Sequence, residues 1–465
     1  MSVGLIIALL VILTFVFILA GIPVYVSLLF TGTLSLVALG VTTNTPIATL
    51  AVSNSIFNGI GSLPLLAIPF FMLAGEIMNR GGITEKLIRF AMLLIGRLPG
   101  SLAHAGIVSS MFFGGITGSA QACSSCMGGI LIPAMVKEGY SAQEAAGVIA
   151  SASTCGPIIP PSIIMVVYAT AVGVSVGSMF MGGVVPGILC GLILMLVVLL
   201  RDRVVHFPKR TEHLSAGEIK RTIIDGLLPL GMPLIVVGGI MGGIMTPTEA
   251  GAISVVYALL VSLFITKTLK IREIGPILLQ GVNSAAPLLL IIACAKVFSY
   301  GLTALQMPVI VNDLILSIID NKYMFLLLVN ILLLIMGMFM DGGASVIILA
   351  PILAPVAASM GISLIHFGII MAFNLTIGNI TPPLGYCLFI TSKIAGIPVE
   401  KAINGSIACT ASTVRAIWKA RAGRSSRLSG PTANWRQSRA FRRLKRCSSC
   451  AASLKMTPAV GRCAN

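Results

Sequence analysis

Long apolar runs separated by short polar segments dominate residues 1–406 of the chain. Seven of these runs predict continuous helices, at about 4–20, 23–40, 63–78, 178–200, 226–244, 249–266 and 283–304. Because about 20 apolar residues cross a bilayer as a helix, the pattern predicts an all-α polytopic membrane protein with roughly ten to thirteen crossings or re-entrant segments.

Four further apolar stretches are interrupted by Gly, Pro, Ser and Thr, at 101–136, 143–174, 323–359 and 365–396. A helix break that faces lipid leaves backbone N–H and C=O groups unpaired, so such breaks persist only against protein or around a watery cavity. We therefore expect re-entrant helical hairpins at 101–136 and 323–359, broken helices at the other two stretches, and the functional site where these breaks meet.

Composition excludes a soluble globular protein, since 57% of the residues are hydrophobic, 10% are charged and the mean hydropathy is +1.03. Soluble domains carry about 25% charged residues. The first residues have no basic segment, and the first apolar run leads directly into a second. The first run is therefore predicted to be a true span rather than a secretory signal peptide.

The net charge of +17 is unevenly distributed, because residues 407–465 contain 13 Lys and Arg and no acidic residue. A nucleic-acid partner is therefore not expected for the membrane body. We interpret 407–465 as an aberrant basic tail, expected to be disordered, whose composition resembles out-of-frame translation. The alternative is a functional basic tail that binds anionic lipid or nucleic acid.

Basic residues also predict the orientation. They crowd the loop 201–221 and the segment 267–272, and two predicted helices lie between. Both segments are therefore assigned to the cytoplasm, which places the amino terminus outside. The amphipathic stretch 83–97 is then expected along the cytoplasmic interface.

The chain repeats itself with a shift of 222 residues. This shift places Gly156 on Gly378 and the pair Pro160-Pro161 on Pro382 and Pro383. A constant shift over a long stretch predicts two structural repeats, and the orientation makes them inverted. Inverted repeats with interrupted helices are typical of secondary transporters, which bind their substrate at the repeat interface near mid-membrane.

The predicted organisation has five parts. These are N-terminal scaffold helices (1–60), the first repeat (61–176), linking helices with the basic loop (177–282), the second repeat (283–406) and the tail (407–465).

The breaks at 114–122, 152–162, 336–345 and 374–385 suggest ion and anion binding. Unwound turns expose carbonyl oxygens that suit Na⁺, and helix N-termini present N–H groups and a positive dipole end that suit a carboxylate. A single break could be a kink relieved by neighbouring side chains, but four breaks in related pairs favour a cation-coupled anion transporter.

Asp341 lies deep in an apolar segment, where an acid is a functional hypothesis by default. It could bind Na⁺ or hold the hairpin tip, and the alternative is a tip acid exposed to water.

Other kinds of function find less support in the sequence. It contains no P-loop motif, so transport driven directly by ATP is not supported. An intramembrane hydrolase that uses Ser119 and a distant histidine is a remote alternative, and a channel is a further competitor.

The segments PLLAIPFFMLAGEIM, GSAQA, GPIIPPS, MTPTEAGA and FNLTIGNITPPLG occur in order within residues 1–405. With them the chain resembles the large membrane subunit of a tripartite ATP-independent periplasmic (TRAP) transporter. The resemblance implies about eleven helices with two re-entrant hairpins, a scaffold, and a transport domain that moves as an elevator. It also implies a multi-pass protein of the bacterial inner membrane.

The same resemblance implies sodium-driven import of an organic acid, such as a dicarboxylate or sialic acid, delivered by a periplasmic binding protein. The other partner would be a small four-helix membrane subunit, and sodium would be the coupling ion rather than a prosthetic group. The alternative is a cation-coupled anion transporter that works alone. The family continues with an apolar final span where this chain turns into the basic tail.

The resemblance further implies two sodium sites, with the substrate between the hairpin tips. One sodium site would comprise Ser119, Thr154, Gly156 and Ile158, and the other Asp341, Gly343, Thr376, Gly378 and Thr381. The substrate would contact Ser119, Ala120, Pro160, Pro161, Gly342, Asn379, Pro382 and Pro383.

Overall fold

A computed structural model describes residues 3–43, 49–96, 98–205, 207, 216–318, 321–382 and 385–403. The predictions for the tail 407–465 and for most of the polar part of the loop 201–221 lie outside the described residues. The described part is helical, and no strand occurs in it.

The helices have the following bounds. In chain order they are α1 (Val3–Leu19), α2 (Val24–Thr43), α3 (Thr49–Ile60), α4 (Ala67–Arg80), α5 (Ile83–Ile95), α6 (Ser101–Thr117), α7 (Ala120–Lys137), α8 (Ala142–Ser153), α9 (Ile163–Val172), α10 (Val176–Val205), α11 (Ala216–Met241), α12 (Pro247–Leu260), α13 (Ile274–Ala304), α14 (Met307–Ile318), α15 (Lys322–Phe339), α16 (Gly342–Ser359), α17 (Leu364–Gly378) and α18 (Tyr386–Ala395).

The all-α membrane class is confirmed. By length and composition, eight segments of the described residues could cross a membrane: Leu63–Arg80, Ala142–Val172, Val176–Asp202, Gly217–Met241, Pro247–Ile265, Ile271–Ala304, Lys322–Phe339 and Gly342–Ser359. Each of the seven predicted continuous helices corresponds to a helix of the structure, and α10, α11 and α13 extend beyond the apolar run that predicted them.

Both predicted hairpins form, each from two helices joined by two residues. The first consists of α6 and α7 around Gly118 and Ser119, and the second of α15 and α16 around Met340 and Asp341. Gly118 has φ +63°, a left-handed conformation that lets α6 end abruptly. Ser119 and Asp341 are the N-caps of α7 and α16, since each accepts a backbone N–H with its side chain.

Both predicted broken helices form as well. The first consists of α8 and α9, which are separated by a short 3₁₀ turn at Gly156–Ile158 and a cis peptide bond between Pro160 and Pro161. The second consists of α17 and α18, and Pro383 in its connection lies outside the described residues.

The helices pack in two groups. The hairpin group contains both hairpins and both broken helices (α6–α9 and α15–α18), and the flanking group contains α1–α4 and α11–α13. Helices α5, α10 and α14 pack against members of both groups. Each group therefore draws helices from both predicted repeats, whereas the sequence-based division cut the chain into consecutive segments. The repeats and their inverted orientation stay predictions.

Candidate functional site

The tip of the first hairpin is held by the Ser119 side chain. Its Oγ accepts the backbone N–H of Ala122 at 3.3 Å and donates to Oε1 of Gln121 at 3.0 Å. This contact orients the side-chain amide of Gln121. Its Oε1 accepts from Ser119, so its Nε2 can donate to a different partner.

The tip of the second hairpin is held by the Asp341 carboxylate. Its Oδ2 accepts the backbone N–H of Gly343 at 2.9 Å. Its Oδ1 accepts from Nε2 of Gln121 at 2.5 Å, although the two residues are 220 positions apart in sequence. A continuous hydrogen-bonded chain through Ser119, Gln121 and Asp341 thus joins the two hairpin tips.

The first hairpin lies directly on the first broken helix. A Cβ atom built on Gly114 would lie 2.0 Å from Cα of Gly156, so the two backbones touch where only glycine fits. Near the tip, a Cβ built on Gly118 would lie 3.1 Å from the carbonyl oxygen of Pro161. These contacts place the 3₁₀ turn against the last turns of α6 and the proline pair against the hairpin tip.

The second hairpin lies on the second broken helix in the same manner. A Cβ built on Gly378 would lie 2.5 Å from Cα of Gly337. A Cβ built on Gly342 would lie 2.7 Å from Cδ1 of Ile164 in α9, which connects the second tip to the first broken helix as well. Each hairpin therefore packs on its own broken helix, and the second tip also contacts the first broken helix.

Two buried oxygens at the breaks could bind a hard cation. Oδ1 of Asn379 and Oγ of Ser345 are buried and have no hydrogen-bond donor among the described residues. Unsatisfied buried oxygens are costly unless a donor or ion meets them, and hard cations prefer oxygen ligands. Within the same part of the chain there is no group of three or more His, Cys, Asp and Glu side chains that could hold a metal ion.

The predicted threonine ligands lie close to the breaks. The hydroxyls of Thr154, Thr376 and Thr381 donate to carbonyl oxygens three or four residues earlier in the chain, at 2.7, 2.6 and 2.9 Å. Their oxygens keep lone pairs that could bind a cation. Thr154 and Thr376 are buried, whereas Thr381 is half-buried.

The remaining predicted site residues fall into three sets. Ala120, Gly342 and Gly343 are buried at the tips, and Gly156, Pro160 and Pro161 are buried in the first break. Ile158 is fully buried, and its carbonyl oxygen lies against Gly183 of α10. In the second break Gly378 and Asn379 are buried, Pro382 is half-buried, and Pro383 lies outside the described residues.

Four helix N-termini surround the tips. α7 and α16 begin at the tips themselves, and the backbone nitrogen of Ile163 at the start of α9 lies beside Gly118. At the start of α18, the phenol of Tyr386 donates to the carbonyl oxygen of Phe339 at 3.5 Å. The positive ends of helix dipoles favour a bound anion, so groups that could bind a cation and groups that could bind an anion lie close to one another.

Gln121, Ser345 and Tyr386 belong to this site and were not among the residues predicted from the sequence, and Gln121 makes the contact between the tips. It is uncharged and follows a short Gly-Ser-Ala run, and its partner lies in the other half of the chain. Its position two residues after the predicted ligand Ser119 is the feature of the sequence that could have marked it as a site residue.

Comparisons with known proteins agree on one family. The family model "Tripartite ATP-independent periplasmic transporter, DctM component" matches residues 11–417. The C4-dicarboxylate TRAP transporter large permease protein DctM of Pseudomonas aeruginosa is 42% identical over 343 residues, which cover 74% of this chain and 80% of that protein. The sialic acid TRAP transporter large permease protein SiaM of Vibrio cholerae is 36% identical over 389 residues, covering 83% and 89%.

A solved structure shares the fold. The YdaH transporter of Alcanivorax borkumensis superposes with a TM-score of 0.56 at 15% sequence identity, and the match covers 80% of this chain and 87% of that one. At this identity the likeness concerns the arrangement of helices alone.

Proposed function

The chain belongs to the DctM component family of tripartite ATP-independent periplasmic (TRAP) transporters, and from this premise we propose that it is the large permease subunit of a sodium-coupled importer of a small organic acid. The family makes it a transporter of the bacterial inner membrane rather than an enzyme. The remote hydrolase alternative has no support at Ser119, whose hydroxyl bonds within its own hairpin tip.

The hydrogen-bonded contact between the two hairpin tips is the observation that carries the proposal. It brings the Asp341 carboxylate to the place where helix N-termini favour an anion. Two like charges about 4 Å apart repel by about 4 kcal/mol at an effective dielectric constant near 20. An organic anion therefore binds well only after a cation has neutralised Asp341, which is the physical basis for coupling.

The chemical class of the substrate follows from the relatives and the site. The two permeases named above carry the names of a C4-dicarboxylate and of sialic acid, both of which are acids. Helix N-termini and backbone N–H groups bind a carboxylate whatever the rest of the substrate molecule is. We therefore assign a small carboxylic acid as the substrate.

We assign the hairpin group as the moving transport domain and the flanking group as the scaffold of an elevator. The glycine contacts that hold each hairpin on its broken helix support movement of this group as one body. In the TRAP system the large permease works with a small membrane subunit, expected to have four helices, and with a periplasmic binding protein that delivers the acid.

Uptake by proteoliposomes tests this proposal. The full chain is reconstituted with its small membrane subunit and a binding protein, and uptake of labelled dicarboxylates and sialic acid is measured in a sodium or a choline gradient. We expect uptake that requires sodium and the binding protein. Sodium-independent uptake contradicts the coupling, and uptake by the chain alone favours the stand-alone transporter.

Asp341→Asn tests the role of the carboxylate in the same assay. The variant keeps the shape but loses the charge, so the sodium concentration for half-maximal uptake is expected to rise by about tenfold, equivalent to about 1.4 kcal/mol. Asp313→Asn is the matched control, since Asp313 is an exposed acid on α14. An unchanged sodium curve for Asp341→Asn contradicts its assignment as a sodium ligand.

A further inference from the structure

Asp341 carries a half-buried carboxylate that has no basic partner among the described residues. The three ion pairs in that part of the chain involve the acids Glu76, Asp225 and Glu144. The hydrogen-bond donors to the Asp341 carboxylate are the backbone N–H of Gly343 and the side-chain amide of Gln121. Gln121 is thus the side chain that stabilises this charge.

We propose that Gln121 is a positioning residue that holds the Asp341 carboxylate in the cation-free carrier and releases it when the coupling cation binds. The role rests on the proposed sodium coupling and deepens it, because it assigns a partner to the carboxylate for the part of the cycle in which no cation is present.

The chemistry of an amide suits this exchange. A carboxylate taken partly out of water is costly without a donor, and a hydrogen bond to an ionised group is among the stronger ones. A lysine or arginine at this position would neutralise Asp341 permanently and compete with the cation. A neutral amide satisfies the carboxylate and leaves no buried charge of its own after release.

The geometry orients Gln121 for the role. Oγ of Ser119 donates to its Oε1 at 3.0 Å, and this contact directs Nε2 towards Oδ1 of Asp341 on the opposite tip. The other carboxylate oxygen stays bound to the Gly343 N–H at 2.9 Å. Exchange of Gln121 for a cation at Oδ1 therefore leaves the second tip capped.

The proposal has a thermodynamic signature. If Gln121 stabilises the cation-free state alone, its removal destabilises that state and leaves the sodium-bound state unchanged. Sodium binding converts one state into the other. The apparent affinity for sodium must therefore rise by the factor that corresponds to the destabilisation of the cation-free state. A residue with a purely structural role would destabilise both states equally.

Thermal unfolding of the purified full chain provides the test, in choline chloride and in sodium chloride at equal ionic strength. Gln121→Leu is expected to lower the apparent Tm by about 1 °C or more in choline, with no loss in saturating sodium. The sodium concentration for half-maximal stabilisation should fall about threefold or more, equivalent to roughly 0.65 kcal/mol.

Three variants complete the design. Ser125→Ala, at an exposed position one turn further along α7, should change neither quantity. In an Asp341→Asn background, Gln121→Leu should have almost no further effect, because the charge that it holds is gone. Gln121→Glu has the same shape but adds a second carboxylate. Its Tm in choline should be lower than that of Gln121→Leu, and sodium should restore it.

Three results for Gln121→Leu would overturn the proposal. These are equal Tm losses in the two salts, no loss in either salt, and a loss that is just as large in the Asp341→Asn background. A wild-type chain that sodium does not stabilise contradicts the proposed coupling and the release step with it. The hydrogen bond between Gln121 and Asp341 is tested separately. Its test compares the Tm losses of the single and double variants in choline, where no sodium is present.

Discussion

Glycine sets the distance between each hairpin and its broken helix. At the Gly114–Gly156 and Gly337–Gly378 contacts, a single methyl group would overlap the opposing backbone. Backbone atoms cannot move aside as a flexible side chain can, so the helices would have to separate. These contacts hold each hairpin close to its broken helix.

Gly156→Ala is therefore expected to disrupt the hairpin group, since its Cβ would lie 2.5 Å from Cα of Gly114. Overpacking of this kind costs about 1–3 kcal/mol or more, which should lower the apparent Tm and the yield of monodisperse protein. Gly129→Ala in α7 is the matched control, because no atom lies within 4 Å of its Cβ. Equal stability of the two variants contradicts the close contact.

Individual residues could be predicted where they stand out from their surroundings. Ser119 and Asp341 are polar residues at breaks in apolar segments, so the sequence alone marks them as candidates. Gln121 does not stand out in this way, because its importance depends on a contact across 220 positions. Periodicity and local motifs carry no information about such a pair.

At the scale of elements, the hairpins were predictable because glycine, proline and N-capping residues mark their turns. The predicted hairpins 101–136 and 323–359 agree with α6–α7 and α15–α16 to within one residue at each end. Helices α3 and α14 were not predicted. Each has 12 residues, and α3 mixes apolar with polar residues, so neither gives the long apolar run on which the prediction relied.

The ion pair between Arg201 of α10 and Glu144 in the first turn of α8 joins these two helices. Its N–O distance is 3.0 Å, and the side chains are 7% and 12% exposed. Loss of one partner from a buried pair costs about 3–5 kcal/mol. The pair between Lys86 and Asp225 is 24% and 34% exposed, and pairs near the surface contribute about 0–1 kcal/mol.

Arg201→Met should therefore lower the apparent Tm clearly more than Lys86→Met, measured by thermal unfolding of purified protein. Glu144→Gln added to Arg201→Met should recover part of the loss, because it removes the carboxylate that was left unpaired. A Tm loss for Lys86→Met as large as that for Arg201→Met contradicts the assignment of Arg201 and Glu144 as the stronger connection.

At the scale of the molecule, the elevator proposal requires the hairpin group to move against the flanking group. One contact between them is the thiol of Cys126 on α7, which donates to Oδ1 of Asn79 on α4 at 2.6 Å. The resemblance implies a scaffold and a transport domain, but the sequence predicted neither this contact nor which helices belong to which group, because each group assembles helices from distant parts of the chain. The repeats and the membrane orientation stay predictions at this scale.

Asn79→Cys places a second thiol opposite Cys126 and should allow a disulfide bond between the two groups under a mild oxidant. If the groups move during transport, the cross-link should abolish uptake and a reductant should restore it. Asn79→Cys combined with Cys126→Ser is the control and should not respond to the oxidant. Undiminished uptake by a fully cross-linked protein contradicts movement between α4 and α7.

Two hairpins that are far apart in sequence meet at their tips and form one site. Cross-linking between the tips tests it most directly, with Gln121→Cys and Asp341→Cys introduced into a chain that has no other cysteine. A second chain keeps Cys155 and Cys190 alone, whose Sγ atoms lie 3.5 Å apart, as a control for the oxidant. We expect an intramolecular disulfide between the tips, detected by mass spectrometry. Its absence while the control pair cross-links would show that the tips do not meet.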